Sequence, residues 1–133
     1  MQKIKVALVG VGNCASAFVQ GLRYYSNCEK GEECIGLHNL FLGGFHPRDI
    51  QIVAAFDIDN RKVGKDLAEA IFAPPNNTLK LVNVPQTNVT VHKGPVLDGI
   101  GEYTKNIVQI SSLPEVNVAD MLKESEAEIV VNL

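Results

Sequence analysis

Lys3-Ile-Lys-Val-Ala-Leu-Val9, running into Gly10-Val-Gly-Asn-Cys-Ala15, is the stretch that decides the fold. A short apolar run bounded by glycine predicts a buried strand over Lys3–Val9. Asn13–Tyr25 predicts a helix, with Ala17, Leu22 and Tyr24–Tyr25 at its bulky or apolar positions and Gly21 as its weak spot. The turn between them fits G-x-G-x-x-G/A, with Ala15 in the third place. Gly10 permits the tight turn out of the strand. Gly12 lacks a Cβ, so the backbone can approach a pyrophosphate. Ala15 is small enough for the helix to pack on the strand. The helix start then offers free N–H groups and a partial positive charge to phosphates. Strand, glycine turn and helix in that order predict a dinucleotide site; a ligand-free tight turn is the bland alternative.

Such a site wants an acid at the end of the second strand, about 20 residues on. Gln51–Phe56 is the second apolar strand, and Asp57 follows it. Asp57 stands 47 residues after Gly10, and an insertion over 26–50 accounts for the excess. That segment carries Gly31, Gly36, Gly43, Gly44 and Pro47 and has no clean periodicity. Asp57 is the candidate ribose clamp, and its charge favours NAD over NADP. The alternative is a helix N-terminal acid, shared with Asp59. Arg61 complicates the choice, since an arginine there can take a 2′-phosphate.

Further on, Asp59–Ala73 predicts a helix, with Val63, Leu67, Ala70 and Ile71 on one face and Pro74–Pro75 as its stop. Asp66 lies away from Leu67; it is either a group near the cofactor or a surface carboxylate. Asn76-Asn77-Thr78 forms a polar knot that turn chemistry explains. Leu79–Val84 and Asn88–His92 are strand candidates, Gly94–Gly101 a functional loop, and Glu102–Ile110 a short helix. Val118–Ser125 predicts a helix with Val118, Met121 and Leu122 inward, and Glu128–Leu133 an apolar strand. Asp98-Gly99 are candidates for approach to the nicotinamide. Ser111-Ser112 follow an apolar stretch, where a doubly wound sheet places ligands. Lys62, Lys65, Lys93 and Lys105 have no spacing that marks them, and each is expected at the solvated surface.

The alternation of strands and helices predicts an α/β fold: a Rossmann-like, doubly wound parallel sheet, one domain over 1–133, incomplete at its C-terminus. A net charge of -3 over 133 residues, with no basic stripe, argues against nucleic acid. No apolar run is long enough to span a membrane, and no signal peptide is recognisable. Cys14, Cys28 and Cys34 are an odd number without a disulfide framework, which fits a reducing, cytoplasmic compartment. Cys28, Cys34, His38 and His46 lack the paired spacing of a zinc site, so no metal is expected. Cys14, though at a helix start, is read as a packing residue.

These residues sit in longer words. Val9-Gly-Val-Gly-Asn-Cys-Ala-Ser16, Val19-Gln-Gly21 with Tyr24-Tyr25, Gly44-Phe-His-Pro-Arg-Asp49, Val53-Ala-Ala-Phe-Asp-Ile-Asp59 and Lys62-Val-Gly-Lys-Asp-Leu67 follow in order. So do Ala70-Ile-Phe-Ala73, Asn76-Asn-Thr78, Thr87-Asn-Val89 and Gly94-Pro-Val-Leu-Asp-Gly-Ile-Gly101. The series resembles the myo-inositol-1-phosphate synthases of bacterial and archaeal type across essentially the whole chain, least over Ser26–Asn39. The resemblance implies an NAD-dependent isomerase that converts glucose 6-phosphate to inositol phosphate by oxidation, enolisation, intramolecular aldol closure and reduction. It implies a role in myo-inositol and phospholipid biosynthesis, a homotetramer, and a catalytic half with active-site lysines that this chain lacks. It places Gly10, Gly12, Asn13, Cys14 and Ala15 at the pyrophosphate and Asp57 with Ile58 at the adenosine; Asp66, Asp98 and Ser112 are looser candidates for the cofactor. Catalytic residues are not identifiable in the chain, and the chain alone is expected to be inactive. An NAD-binding module without turnover, or part of an ordinary NAD-dependent dehydrogenase, are the competing readings.

Overall fold

The computed structural model describes residues 2–30 and 34–133. Gly31, one of the insertion glycines, lies outside them. The first strand, β1, covers Ile4–Val9, and helix α1 covers Asn13–Tyr25. Strand β2 covers Ile50–Asp57, α2 only Leu67–Ala70, β3 Val91–Lys93, α3 Val118–Glu124 and β4 Ile129–Asn132. The four strands form one sheet in the order β3-β2-β1-β4, and every pairing is parallel. The register of β1 on β2 slips between Val6 and Ala7, where β2 holds an extra residue.

Alternation along β1 builds a core on each face of the sheet. Val6 and Leu8 join Ala15 and Val19 of α1 and Leu67, Ala70 and Ile71 around α2. Ala7 points the other way, with Ala54 and Phe56, toward Val118, Met121 and Leu122 of α3. Helices on both faces of a parallel sheet are the doubly wound α/β arrangement. Strand β4 is at the edge and half-exposed: Ile129 and Val130 each keep 48% of their surface.

Between β2 and α3 the structure departs from expectation. The helix expected over Asp59–Ala73 is one short turn of helix with irregular turns on either side. Gly64 has φ +86°, which breaks any helix through it, and the Asp66 side chain starts a new one by accepting the Ala68 N–H at 2.8 Å. Leu79–Val84 pairs with no strand; its backbone meets the Gln20 side chain instead. Glu102–Ile107 is a run of turns, not a helix. Ile110 bridges Asp59 in antiparallel sense, so this segment folds back along the end of β2.

The 26–50 segment has a structural anchor. Its end, Pro47–Asp49, is a 3-10 turn closed by a capping box between the buried His46 and Asp49. The hydrogen bond from the His46 backbone, with Lys3 nearby, holds the Asp49 carboxyl below its usual range against the effect of burial. His46 is occupied: its Nδ1 accepts the Arg48 N–H at 3.0 Å, and its Nε2 lies 3.1 Å from the Cys28 carbonyl oxygen.

Candidate functional site

The ends of all four strands open into one cleft of about 810 Å³. Val9 and Gly10 come from the end of β1, Phe56 and Asp57 from β2, Gly94 from beyond β3, and Asn132 and Leu133 from β4. The chain reverses direction across the sheet between β1 and β4, the place where open α/β sheets bind ligands.

The glycine turn forms one wall. Gly10 has φ +91°, and a Cβ there would stand 2.5 Å from the Leu133 carbonyl oxygen. Its N–H donates to the Phe56 carbonyl at 2.9 Å, tying the turn to β2. Gly12 is a different case. Its φ is -88°, and a Cβ there would meet nothing within 4 Å. Nothing inside the fold requires glycine at that position, so the free space beside it is a cradle that a side chain would fill. The start of α1 is bare as well. No side chain caps it and no acid lies in its first turn. By contrast, Asp66 caps α2 and Asn117 caps α3. The first N–H groups of α1 therefore lack the side-chain acceptor that the other two helices have.

Asp57 stands opposite. Its Oδ2 accepts the Val11 N–H at 2.7 Å, and its Oδ1 accepts the N–H groups of Ile58 at 2.7 Å and Asp59 at 2.9 Å. A carboxylate has about four acceptor positions, so about one is left for a ligand hydroxyl. Asp59 is buried and holds Arg61, whose Nε donates to it at 2.8 Å. Burial works to raise the Asp59 pKa, but the hydrogen bonds from Arg61 and Gln109 bring it below the usual range. Arg61 also donates to the Ile107 carbonyl at 2.7 Å. It is thus committed to the protein, which works against its availability for a 2′-phosphate.

The knot over 76–78 is more than turn chemistry. Asn76 Nδ2 donates to the Val11 carbonyl at 3.0 Å. Asn13 Oδ1 accepts from the Asn77 N–H at 2.8 Å, the Thr78 N–H at 3.0 Å and the Thr78 hydroxyl at 2.8 Å. The knot clasps the glycine turn from more than 60 residues away in sequence. Lys62, expected at the surface, is instead 4% exposed and lines the cleft. Its Nζ donates to the Val11 carbonyl and to Asn76 Oδ1, each at 2.8 Å. Burial pushes its pKa down, and the charges of Asp57 and Asp59 act in the opposite direction. No local signal marks these contacts, because their partners lie 14 to 65 residues away.

Of the sequence candidates, Gly10, Gly12, Asp57, Ile58 and Asp98 line the cleft. Asn13, Cys14 and Ala15 form the first turn of α1 beside it; Cys14 is exposed rather than packed, and Ala15 is fully buried. Asp66 is absent from the lining. Its Oδ1 accepts from Ala68 and from the backbone and hydroxyl of Thr87. Ser112 is exposed and lies off the lining, while its neighbour Ser111 is buried. Of the other lysines, Lys65 pairs with Glu69 at 2.7 Å, Lys93 lies 3.9 Å from Glu115 with its side chain only 12% exposed, and Lys105 is exposed. Among the described residues, no group of three or more His, Cys, Asp or Glu is placed to hold a metal ion. No described helix is long and apolar enough to cross a membrane.

A parallel, doubly wound sheet with a glycine turn at its switch point places the chain among Rossmann-like α/β proteins. No family model matches it. The chain is 49% identical to the inositol-3-phosphate synthase of Mycolicibacterium smegmatis over 130 residues, covering 98% of this chain and 36% of that protein. Other relatives of that name run down to 43% identity. The crystal structure of Ari2 superposes with a TM-score of 0.75 at 28% identity, over 99% of this chain and 38% of that one. A myo-inositol-1-phosphate synthase-related protein from Thermotoga maritima MSB8 shares the fold, with a TM-score of 0.62 at 22% identity over 98% of this chain and 34% of that one. The chain belongs to the inositol-3-phosphate synthase family, and it spans roughly a third of the length of the relatives it matches.

Proposed function

We propose that the chain is the NAD-holding part of an inositol-3-phosphate synthase, and that the cleft over the glycine turn takes the dinucleotide. The observation that carries this reading is the bare start of α1 beside the open face of Gly12. An anionic pyrophosphate supplies the acceptors that the missing cap leaves out, and the absent Cβ lets it come close. The N–H groups of Asn13, Cys14 and Ala15 hold it by backbone. Asp57 gives its remaining acceptor position to a ribose hydroxyl. Ile58 provides an apolar wall, and Asp98 lines the same cleft.

In the whole protein the substrate is glucose 6-phosphate and the product an inositol phosphate, which makes the enzyme an isomerase in inositol and phospholipid synthesis. Bound NAD supplies a hydride acceptor that later returns the hydride, so there is no net redox change. The work of this chain is to orient the cofactor and keep water from it. The catalytic groups lie outside these 133 residues, the assembly is a homotetramer, and the compartment is cytoplasmic. Residues 1–133 act as one NAD-binding domain with an insertion over 26–50.

Calorimetric titration tests the reading. One NAD binds per chain, and NADP binds at least about tenfold more weakly, because the Asp57 carboxylate repels a 2′-phosphate. Gly12→Val abolishes NAD binding while the far-UV circular dichroism stays unchanged. A folded chain that binds neither dinucleotide overturns the reading.

A further inference from the structure

Lys62 is a charge that the dinucleotide reading leaves unexplained. A glycine turn and a helix start hold a pyrophosphate without any lysine. Yet an ammonium group with only 4% of its residue exposed sits on the cleft wall, fixed to the carbonyl of that same turn.

Its surroundings do not balance it. An ammonium has three N–H donors. Two reach neutral acceptors, the Val11 carbonyl and Asn76 Oδ1. The third has no acceptor among the described residues. Neither carboxylate whose field it feels bonds to it: Asp57 accepts three backbone N–H groups, and Asp59 holds Arg61. No carboxylate lies within ion-pair distance of Lys62 among the described residues. A buried cation without a contacting anion is costly, and the usual remedy is a counter-ion in contact. Lys62 lines the cleft. Its two hydrogen bonds fix the ammonium in advance, which lowers the entropy lost when a ligand arrives.

We propose that Lys62 is an anion-binding group of the cleft, its free N–H taking a phosphoryl oxygen that settles beside the glycine turn. This rests on the dinucleotide reading and deepens it by naming a side-chain cation for the phosphate. The same chemistry has two sources here, the pyrophosphate of a dinucleotide and the phosphate of a sugar phosphate.

The test compares wild type, Lys62→Met and Asn76→Ala by calorimetric titration with NAD and, separately, with glucose 6-phosphate at two salt concentrations. Asn76→Ala removes the neighbouring donor to Val11 and one of the two acceptors that hold Lys62, but it keeps the positive charge in the chain. Lys62→Met is expected to weaken the phosphate-bearing ligand by about tenfold or more and to flatten the salt dependence of binding. Asn76→Ala is expected to weaken it less and to keep the wild-type salt dependence. Loss confined to NAD assigns the pyrophosphate; loss confined to glucose 6-phosphate assigns the sugar phosphate. If wild type binds only glucose 6-phosphate and Lys62→Met loses it, the dinucleotide reading falls while the anion site stands. A Lys62→Met chain that binds both ligands like wild type overturns the proposal. So do equal losses in the two variants with equal salt dependence, since Lys62 is then only a strut for the turn. Should Lys62→Met fail to fold, ¹⁵N-lysine spectra of wild type decide. The buried ammonium signal shifts on adding inorganic pyrophosphate if Lys62 binds it, and a signal that stays put sinks the idea.

Discussion

The two ends of the cleft wall are made differently. From Ile4 to Tyr25, and again over Ile50–Asp57, the chain is regular and held by backbone ladders. From Ile58 to Asn117 it has one short helix and one three-residue strand, and it is held largely by side chains. Asp59, Lys62, Asp66, Asn76 and Thr87 each bond backbone or side chains well outside their own turn, or gather several donors at one oxygen. The regular half makes the floor of the cleft. The irregular half makes a clasp in which Lys62 and Asn76 meet Val11 and Asn77 and Thr78 meet Asn13. A strand-turn-helix unit forms from local signals, whereas a clasp exists only once the sheet is built. The clasp should therefore be the part whose removal leaves a fold behind.

The largest effect is expected in the regular half. Gly10→Val places a β-branched side chain at φ +91° against the Leu133 carbonyl, in a backbone position that cannot yield without disturbing β4. A loss of about 4 kcal/mol or more, or failure to fold, is expected in urea unfolding. A loss under about 1 kcal/mol would show that the end of β4 is not pinned as described. Next comes Leu67→Ala, in the irregular half. Leu67 is fully buried and links the four-residue α2 to β1 and α1. Its truncation is expected to cost about 2–5 kcal/mol. A smaller cost would place the irregular half outside the cooperative core.

The same contrast governs what was legible in the sequence. Helix α1 lies over the expected residues, and β1 and β2 within one residue at either end, because an apolar run stopped by glycine is a local signal. Over Asp59–Ala73 the expected face is buried but the expected helix is not continuous. Val63, Leu67, Ala70 and Ile71 are all buried, so the periodicity named the correct face. It could not foresee that Gly64 at φ +86° would split the segment and leave helix only over 67–70. The burial of Lys62 had no local sign at all. Its acceptors are Val11, 51 residues back, and Asn76, 14 residues on. Only the finished topology brings them together, and the same holds for the hold of Asn77 and Thr78 on Asn13.

Asp66→Ala gives a middling effect and sharpens the comparison through pH. Burial works to raise the Asp66 pKa, but bonds from Thr87, Ala68 and Asn88 outweigh it and hold the carboxyl below its usual range. A depressed folded-state pKa means that the unfolded chain binds more protons in acid. The stabilisation is thus complete above the ordinary aspartate pKa and is lost as pH falls through the lower folded value. Losing the α2 cap and the tie to Thr87 is expected to cost about 1–2 kcal/mol near neutral pH. The difference from wild type should shrink toward pH 3 in urea unfolding. A difference that is constant with pH would assign the effect to lost packing, not to the charged cap.

The smallest effect is expected from Lys65→Ala. Lys65 Nζ meets Glu69 at 2.7 Å, but both side chains are well exposed, at 39% and 63%. Solvent screening and the entropy of two long side chains leave such pairs with little net stabilisation. A cost of at most about 0.5 kcal/mol is expected, and added salt should remove it. This lysine lies three residues from Lys62, outside the cleft lining, in the same irregular half. NAD binding should be unchanged in Lys65→Ala and weakened in Lys62→Met. If the two substitutions weaken NAD alike, general electrostatic attraction explains the loss and burial against the glycine turn does not. If only Lys62→Met does so, the position of the charge matters rather than its sum, and position is what the clasp provides.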